Sequence, residues 1–155
     1  MSTPIRIGVV SDTHSLLRPE AVARLAGVAH IVHGGDVGSP DVLRALASVA
    51  PLTAVRGNND NGPWAHKLPE TARLEVGGVV LYVLHDLGEL DLDPRAAGIA
   101  AVISGHSHKP DMHVRDEVLY FNPGSIGPRR FRLPISMGIL FIERGKVTGK
   151  LTTLG

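Results

Sequence analysis

Residues 5–10, Ile-Arg-Ile-Gly-Val-Val, form a short apolar run that breaks at Ser11 and Asp12. A run that stays apolar instead of alternating predicts a parallel strand buried on both faces. Residues 19–27 have helical character, with Pro19 and Glu20 in the first turn and Gly27 at the end, the order in which helices open and close. A second strand is predicted over 30–33, stopped by Gly34-Gly35-Asp36, and a second helix over 40–49 with Ser39 as its N-cap. Residues 52–55 make a third strand, stopped by Arg56-Gly57-Asn58. This is a β-α-β-α-β pattern, and right-handed crossovers bring its three strand ends to one edge.

The second half is richer in strands. Residues 71–76 and 79–85 flank Gly77-Gly78, a hairpin signal. Strands over 112–114 and 118–121 flank Asp116-Glu117, and 136–143 pairs with 146–152 across Arg144-Gly145. Between them a short helix is predicted at 94–97 and a strand at 99–103. The longest irregular segment, 57–69, holds Pro63, Trp64 and His66; loops of that length are usually functional or mobile. Trp64 then either covers a site or anchors a subunit contact. With no internal repeat, 155 residues predict a single domain, 1–155.

Composition narrows the class. A hydrophobic content of 43% excludes a wholly disordered chain. Sixteen basic against fifteen acidic residues leave a net charge of +1, no general reason to expect a nucleic-acid polymer or a membrane surface as partner. The absence of cysteine excludes disulfide scaffolds, zinc ribbons and thiol nucleophiles. Residues 1–7 lack the shape of a signal peptide, and no apolar run reaches the length of a membrane span. The expectation is a soluble, cytoplasmic protein. Its 8 histidines are clustered, and that clustering leads to the chemistry.

Five predicted strands end in polar residues of one kind: Ser11-Asp12-Thr13-His14, Gly34-Gly35-Asp36, Gly57-Asn58-Asn59-Asp60, His85-Asp86, and Gly105-His106-Ser107-His108. Ligands of α/β folds bind beyond the carboxyl ends of strands. Aspartate, histidine and asparagine gathered there make an oxygen and nitrogen donor set, suited to manganese, iron, nickel, cobalt or zinc better than to calcium. Singly, each block has an ordinary explanation: Gly34-Gly35 and Asn58 are common turn residues, and Asp12 a common cap. Two histidines at i and i+2 behind a glycine rarely serve packing. All five blocks in order, each at a strand end, make coincidence a poor account.

These blocks, with Asn122-Pro123-Gly124-Ser125, resemble the signatures of the calcineurin-like metallophosphoesterases, in particular the compact bacterial and archaeal phosphodiesterases. The resemblance spans about residues 5–129. It implies an α/β (α+β) fold of two packed β-sheets flanked by helices, a sandwich. It also implies two divalent transition-metal ions, manganese first and nickel, iron, cobalt or zinc as alternatives. One ion takes Asp12, His14, Asp36 and His108; the other takes Asp36, Asn58, His85 and His106, with Asp36 bridging. Asp36, Asn58 and His106 are the catalytic candidates. Two cations about 3.5–4 Å apart can hold a bridging hydroxide and the phosphate oxygens together and stabilise an in-line displacement. Four positive charges against two aspartates and one hydroxide leave about one positive charge, which matches a singly charged diester better than a monoester.

Two departures from the family pattern matter. Asn59 stands where many members carry a histidine able to protonate the leaving oxygen, and an amide is no general acid. Leaving-group help then comes from water, from Asp60, or not at all. Asp86 stands where glycine commonly follows the ligand histidine, and either orients His85 or is a solvated loop residue. Arg129, Arg130 and Arg132 read as a solvated basic patch or as contacts to a substrate phosphate. His33 shapes a strand end, His30, His66 and His113 lie outside the blocks, and Asn122-Pro123-Gly124-Ser125 is a turn supporting the metal loops. The expected function is hydrolysis of a small phosphodiester, with a homo-oligomer left open. The alternatives are a non-catalytic scaffold, like the retromer subunit of this fold, and a phosphomonoesterase or nucleotide pyrophosphatase.

Overall fold

The computed structural model describes residues 3–154 and contains two five-stranded sheets packed face to face. The first has the order β10-β9-β1-β2-β3, from β1 (Ile5–Val10), β2 (His30–His33), β3 (Leu52–Ala54), β9 (Ser136–Glu143) and β10 (Lys146–Thr153). The second has the order β4-β5-β6-β8-β7, from β4 (Thr71–Val76), β5 (Val79–Leu84), β6 (Ala101–Ile103), β7 (Asp111–Arg115) and β8 (Val118–Asn122). Strands β1, β2 and β3 run parallel, as do β5, β6 and β8, and each sheet has antiparallel partners at its edge. This is the two-sheet sandwich that the resemblance implied.

The continuous apolar runs have a physical cause: both faces of each sheet are covered, and side chains alternate between them. Ile7 and Val9 of β1 point between the sheets and meet Leu81, Val83, Ile103, Leu119 and Phe121 of the second sheet. Their neighbour Val10 points outward, into a layer with Ala21, Leu25, Val42 and Leu46. These come from or adjoin α1 (Pro19–Arg24) and α2 (Pro40–Ala47), the crossovers of the parallel half. On the far face of the second sheet Tyr82, Leu84, Val102 and Val118 bury against Ile99, with Leu90 and Leu92 beside them.

Several local expectations are corrected. The helices are shorter than predicted, ending at Arg24 and Ala47, and Ser39 sits at the N-cap of α2 without a side-chain cap bond. Residues 94–97 form a hydrogen-bonded turn, not a helix, with Asp93 Oδ1 accepting from Arg95 N–H at 3.2 Å. The adjoining strand begins at Ala101, two residues after the apolar run does. Within the irregular stretch 57–69 lies a one-turn helix, α3 (Pro63–His66), started by Pro63. Trp64 packs against the outer layer of the first sheet, so it serves the core and covers no site. No helix of the described residues is long and apolar enough to cross a membrane.

Candidate metal centre

The loops after β1, β2, β3, β5 and β6 meet at one end of the sandwich. Backbone bonds continue the ladders past the strand ends: Asp12 N–H donates to Gly35 O at 3.0 Å, His14 N–H to Asp36 O at 2.9 Å, and Gly105 N–H to His85 O at 2.9 Å. Ile126 N–H donates to Ser11 O at 3.2 Å and ties the segment after β8 to the loop of β1. Asn122 donates from Nδ2 to Gly105 O at 3.0 Å, and Ser125 from Oγ to Asp12 O at 3.0 Å. The Asn-Pro-Gly-Ser turn thus fastens two ligand-bearing loops from behind.

Donor atoms converge in front of those loops. Asp12 Oδ1 lies 3.5 Å from His108 Nε2 and 3.9 Å from His14 Nε2, and the two histidine nitrogens lie 3.4 Å apart. Asp36 Oδ2 lies 3.7 Å from His14 Nε2 and 3.3 Å from His85 Nε2. His85 Nε2 is 3.3 Å from His106 Nδ1, which is 3.2 Å from Asn58 Oδ1. All seven residues of the expected ligand set are therefore in one continuous cluster. The tightest groups are Asp12, His14 and His108, and Asp12, Asp36 and His85.

The residues fit a cation chemically. Asp12 is fully buried; its Oδ2 accepts from Ser11 Oγ at 2.8 Å and His106 N–H at 3.1 Å, while Oδ1 has no hydrogen-bond partner. An unpartnered buried carboxylate oxygen facing two imidazole nitrogens is costly unless a cation or proton lies between. Carboxylate oxygens with imidazole nitrogens are a donor set for divalent transition metals.

Backbone strain marks the same residues. Asp12, His14, Asp36, His106 and His108 have φ of 56°, 45°, 57°, 72° and 61°, in the left-handed region. Each costs about 1–2 kcal/mol for a residue with a Cβ. Strain concentrated in ligand residues is characteristic of functional sites.

The surroundings fix charge and tautomer. His85 Nδ1 donates to Gly34 O at 2.7 Å, because a carbonyl can only accept, so the Nε2 lone pair is left for the centre. Burial works against a charged His85, but its hydrogen bond to Asp36 and the Gly34 carbonyl raise its pKa overall. Burial pushes Asp36 up as well, yet the bonds from His85 and the Asn59 N–H hold it well below the usual carboxylate range. Asp12 is raised, chiefly by burial. Burial and the positive charge of Arg130 push His108 down to about 4.

The supporting candidates have separate tasks. Asn59 grips Asp36 with its backbone N–H and its side chain. Asp60 is buried and accepts three backbone N–H groups, from Gly38 at 2.9 Å, Val37 at 3.2 Å and Gly57 at 2.9 Å. These three bonds turn its carboxylate toward the backbone and join the second and third loops. Asp86 does not orient His85; it caps a 3₁₀ turn at Leu87–Glu89 through Gly88 N–H and lies 4.0 Å from His106 Nε2. Arg129 is exposed, and Arg130 is the arginine whose charge is felt at His108. His33, fully buried, accepts from Gly35 N–H at Nδ1 and hence donates from Nε2 to Thr13 Oγ1, each at 3.0 Å; Thr13 Oγ1 donates to Val37 O at 2.7 Å.

Known proteins share the sequence family and the fold. The chain matches the calcineurin-like phosphoesterase superfamily domain over residues 5–145. A probable metallophosphoesterase of Methanothermobacter thermautotrophicus is 32% identical, over 96% of this chain and 92% of that protein. One of Methanocaldococcus jannaschii is 33% identical, over 94% and 79%. Among solved structures, a novel archaeal phosphodiesterase superposes with a TM-score of 0.79 at 24% identity, covering 95% of this chain and 99% of that one. Vacuolar protein sorting 29 of Cryptosporidium parvum gives 0.77 at 16% identity, covering 99% of each chain. The two structural likenesses establish the fold, and the sequence match over nearly the whole length makes this chain a member of the calcineurin-like phosphoesterase superfamily.

Proposed function

We propose that the protein is a phosphodiesterase that hydrolyses a small phosphodiester with two divalent metal ions. The observation that carries this reading is the unpartnered, buried Asp12 Oδ1 inside a continuous set of seven oxygen and nitrogen donors. In this reading one ion is held by Asp12, His14, Asp36 and His108, the other by Asp36, Asn58, His85 and His106, with manganese the leading metal. When bound, the ions supply positive charge for the phosphate oxygens and activate water for in-line displacement.

The protein's own residues do the rest. Asp36 serves both halves and is kept ionised and oriented by Asn59 and His85. Asn58 and His106 are the exposed members of the set, so an incoming phosphate reaches them first. One residual positive charge at the centre favours a singly charged diester over a doubly charged monoester. The archaeal phosphodiesterase among the structural neighbours has the same fold, which is consistent with that preference.

The test is hydrolysis of bis-p-nitrophenyl phosphate and p-nitrophenyl phosphate by metal-stripped protein, with manganese, nickel, zinc or magnesium restored singly. Metal-dependent cleavage favouring the diester, lost in Asp36→Asn and His106→Ala, supports the proposal. Silence with every metal while two ions bind per chain moves the weight to a binding role on the same fold. Faster cleavage of the monoester would make it a phosphomonoesterase.

A further inference from the structure

Two grooves flank the exposed side of the centre, and both are lined by His106 and Asp86. The larger, about 590 Å³, opens directly onto Asn58, His85 and His106. The other, about 430 Å³, runs from His106 along β8 to Tyr120. Each volume is ample for one substituent of a small ester. His106 and Asp86, whose side chains come within 4.0 Å, form the ridge between them.

The walls differ in chemistry. The larger groove is polar and carries Glu70, Asp86, Glu89 and Asp91. Arg56 is the only Lys or Arg among the described residues lining it, and it is paired with Glu70 at 3.0 Å. Glu89 and Asp91 are exposed on its rim. A second anionic group placed along Glu89 and Asp91, away from the metal ligands, meets carboxylates while the one arginine of the groove is already paired with Glu70. The smaller groove has Leu87, Pro110 and Tyr120 as its apolar lining, and its carboxylates Asp86 and Asp111 are accompanied by Lys109, with Asp111 paired to His113 at 2.7 Å. Tyr120 is held flat by stacking on His113, with ring centres 5.2 Å apart and planes 3° from parallel. Leu87 is 37% exposed, an apolar side chain open to the groove.

We propose that the centre takes an asymmetric phosphodiester. One arm is flat and apolar and lies against Tyr120 and Leu87. The other is polar, carries no further anionic charge, and lies along Glu89 and Asp91. A monoester fills only one groove, whereas a diester straddling His106 fills both. The inference rests on the phosphodiesterase reading and narrows its substrate class: chains of phosphates, whose neighbouring groups are anionic, are rejected by the larger groove.

The experiment uses manganese-loaded protein and p-nitrophenyl diesters whose second arm is 4-hydroxybutyl or 4-carboxybutyl. The p-nitrophenyl ring supplies the flat arm in both. The hydroxybutyl ester is expected to exceed the carboxybutyl ester in kcat/KM by about tenfold or more at low ionic strength. In the Glu89→Gln/Asp91→Asn double variant, and at high salt, that ratio falls to within about threefold. Tyr120→Leu, and separately the exposed-site change Leu87→Ser, raise KM for the aromatic diester several-fold with kcat retained. Equal turnover of the two arms, or a KM unmoved in both groove variants, overturns the inference while hydrolysis of bis-p-nitrophenyl phosphate keeps the phosphodiesterase reading intact. No hydrolysis of that reference diester with any metal overturns both.

Discussion

Asn59 holds Asp36 by both ends of the carboxylate: its backbone N–H donates to Oδ1 at 2.9 Å and its Nδ2 to Oδ2 at 3.0 Å. The side chain is thus turned toward the ligand it orients, and an amide has no proton to give a departing alkoxide. Asp60, the other candidate acid, is occupied by three backbone N–H groups. Departure of the leaving group is therefore unassisted by these residues. A series of substituted phenyl diesters is expected to show a steep fall of kcat with rising leaving-group pKa; a flat series would contradict it. Asn59→Ala, which keeps the backbone bond to Oδ1, is expected to weaken metal binding by about tenfold through loss of the Nδ2 bond to Asp36 Oδ2, read by metal titration.

Gly57 shows how little room that carboxylate has. A Cβ built at Gly57 overlaps both Asp36 Oδ1 and the Asp36 backbone nitrogen. Gly57→Ala is expected to cost about 1–3 kcal/mol and to abolish tight metal binding, because the carboxylate that must move carries the Oδ2 facing His14 and His85. Gly78→Ala is the control: its φ of 81° makes alanine strained, but nothing lies within 4 Å. That variant loses stability yet binds metal as the parent does. Metal binding retained in Gly57→Ala would mean Asp36 is not needed where the structure has it.

The pattern of strands and polar strand ends was readable because both have local causes. Runs such as 79–84 are apolar throughout since both sheet faces are covered, and the parallel order follows from α1 and α2 crossing between β1, β2 and β3. Each ligand block ends a strand, so the donor types and their common edge were legible one loop at a time. The tasks of Asp60, Asp86 and Asn59 were not. Those of Asp60 and Asn59 depend on which way a short side chain turns toward groups of another loop, a contact spanning 22 or 23 residues, and that of Asp86 on its turning back to cap its own 3₁₀ turn. The segment 94–97 reads as helix because Pro94 and two alanines suit helix and turn alike, and Asp93 opens it as a helix cap would, but the bonds from Ala97, Gly98 and Ile99 N–H close it within one turn.

The pH dependence of the metal-free protein follows from the depressed His33, His108 and His30 on one side and the raised His85 on the other, with opposite signs. His33 is buried and held neutral, its pKa pushed from 6.5 down to about 3 by burial. The unfolded chain binds its proton first, so stability is full above about pH 6.5 and is lost on acidification toward pH 3. The slope for one proton is about 1.4 kcal/mol per pH unit. Asp36, depressed, adds to the loss only below the usual carboxylate value of 3.8. His85 is raised, so its contribution is complete below pH 6.5 and fades as pH rises through the higher folded value. Chemical denaturation of metal-free protein from pH 6.5 to 4.5 is expected to show the falling limb, to which the depressed His108 and His30 also contribute, and His33→Gln to make it shallower by the slope of about one proton. An unchanged slope in the variant would assign the limb to other groups. Because His85 must shed its proton to bind a cation, metal affinity rises with pH over the higher range.

The left-handed backbone of the ligand residues sets stability against function, and His106 is where the two separate cleanly. Its φ is 72° and its side chain is 45% exposed, so replacing it leaves no buried cavity. Glycine at this position relieves the clash between Cβ and backbone that alanine retains. His106→Gly is expected to be more stable than His106→Ala by about 1 kcal/mol, although glycine surrenders more chain entropy on folding. Both variants lack the imidazole and are expected to lose metal-dependent hydrolysis together. Thermal or denaturant unfolding of the two metal-free variants measures the difference directly. Alanine equal to or better than glycine would mean that the loop relaxes once the histidine is gone, and that His106 itself imposes the strained conformation. Glycine more stable, with activity absent in both, means the strand-end geometry imposes the strain and the protein carries it to bring His106 to Asn58 and His85.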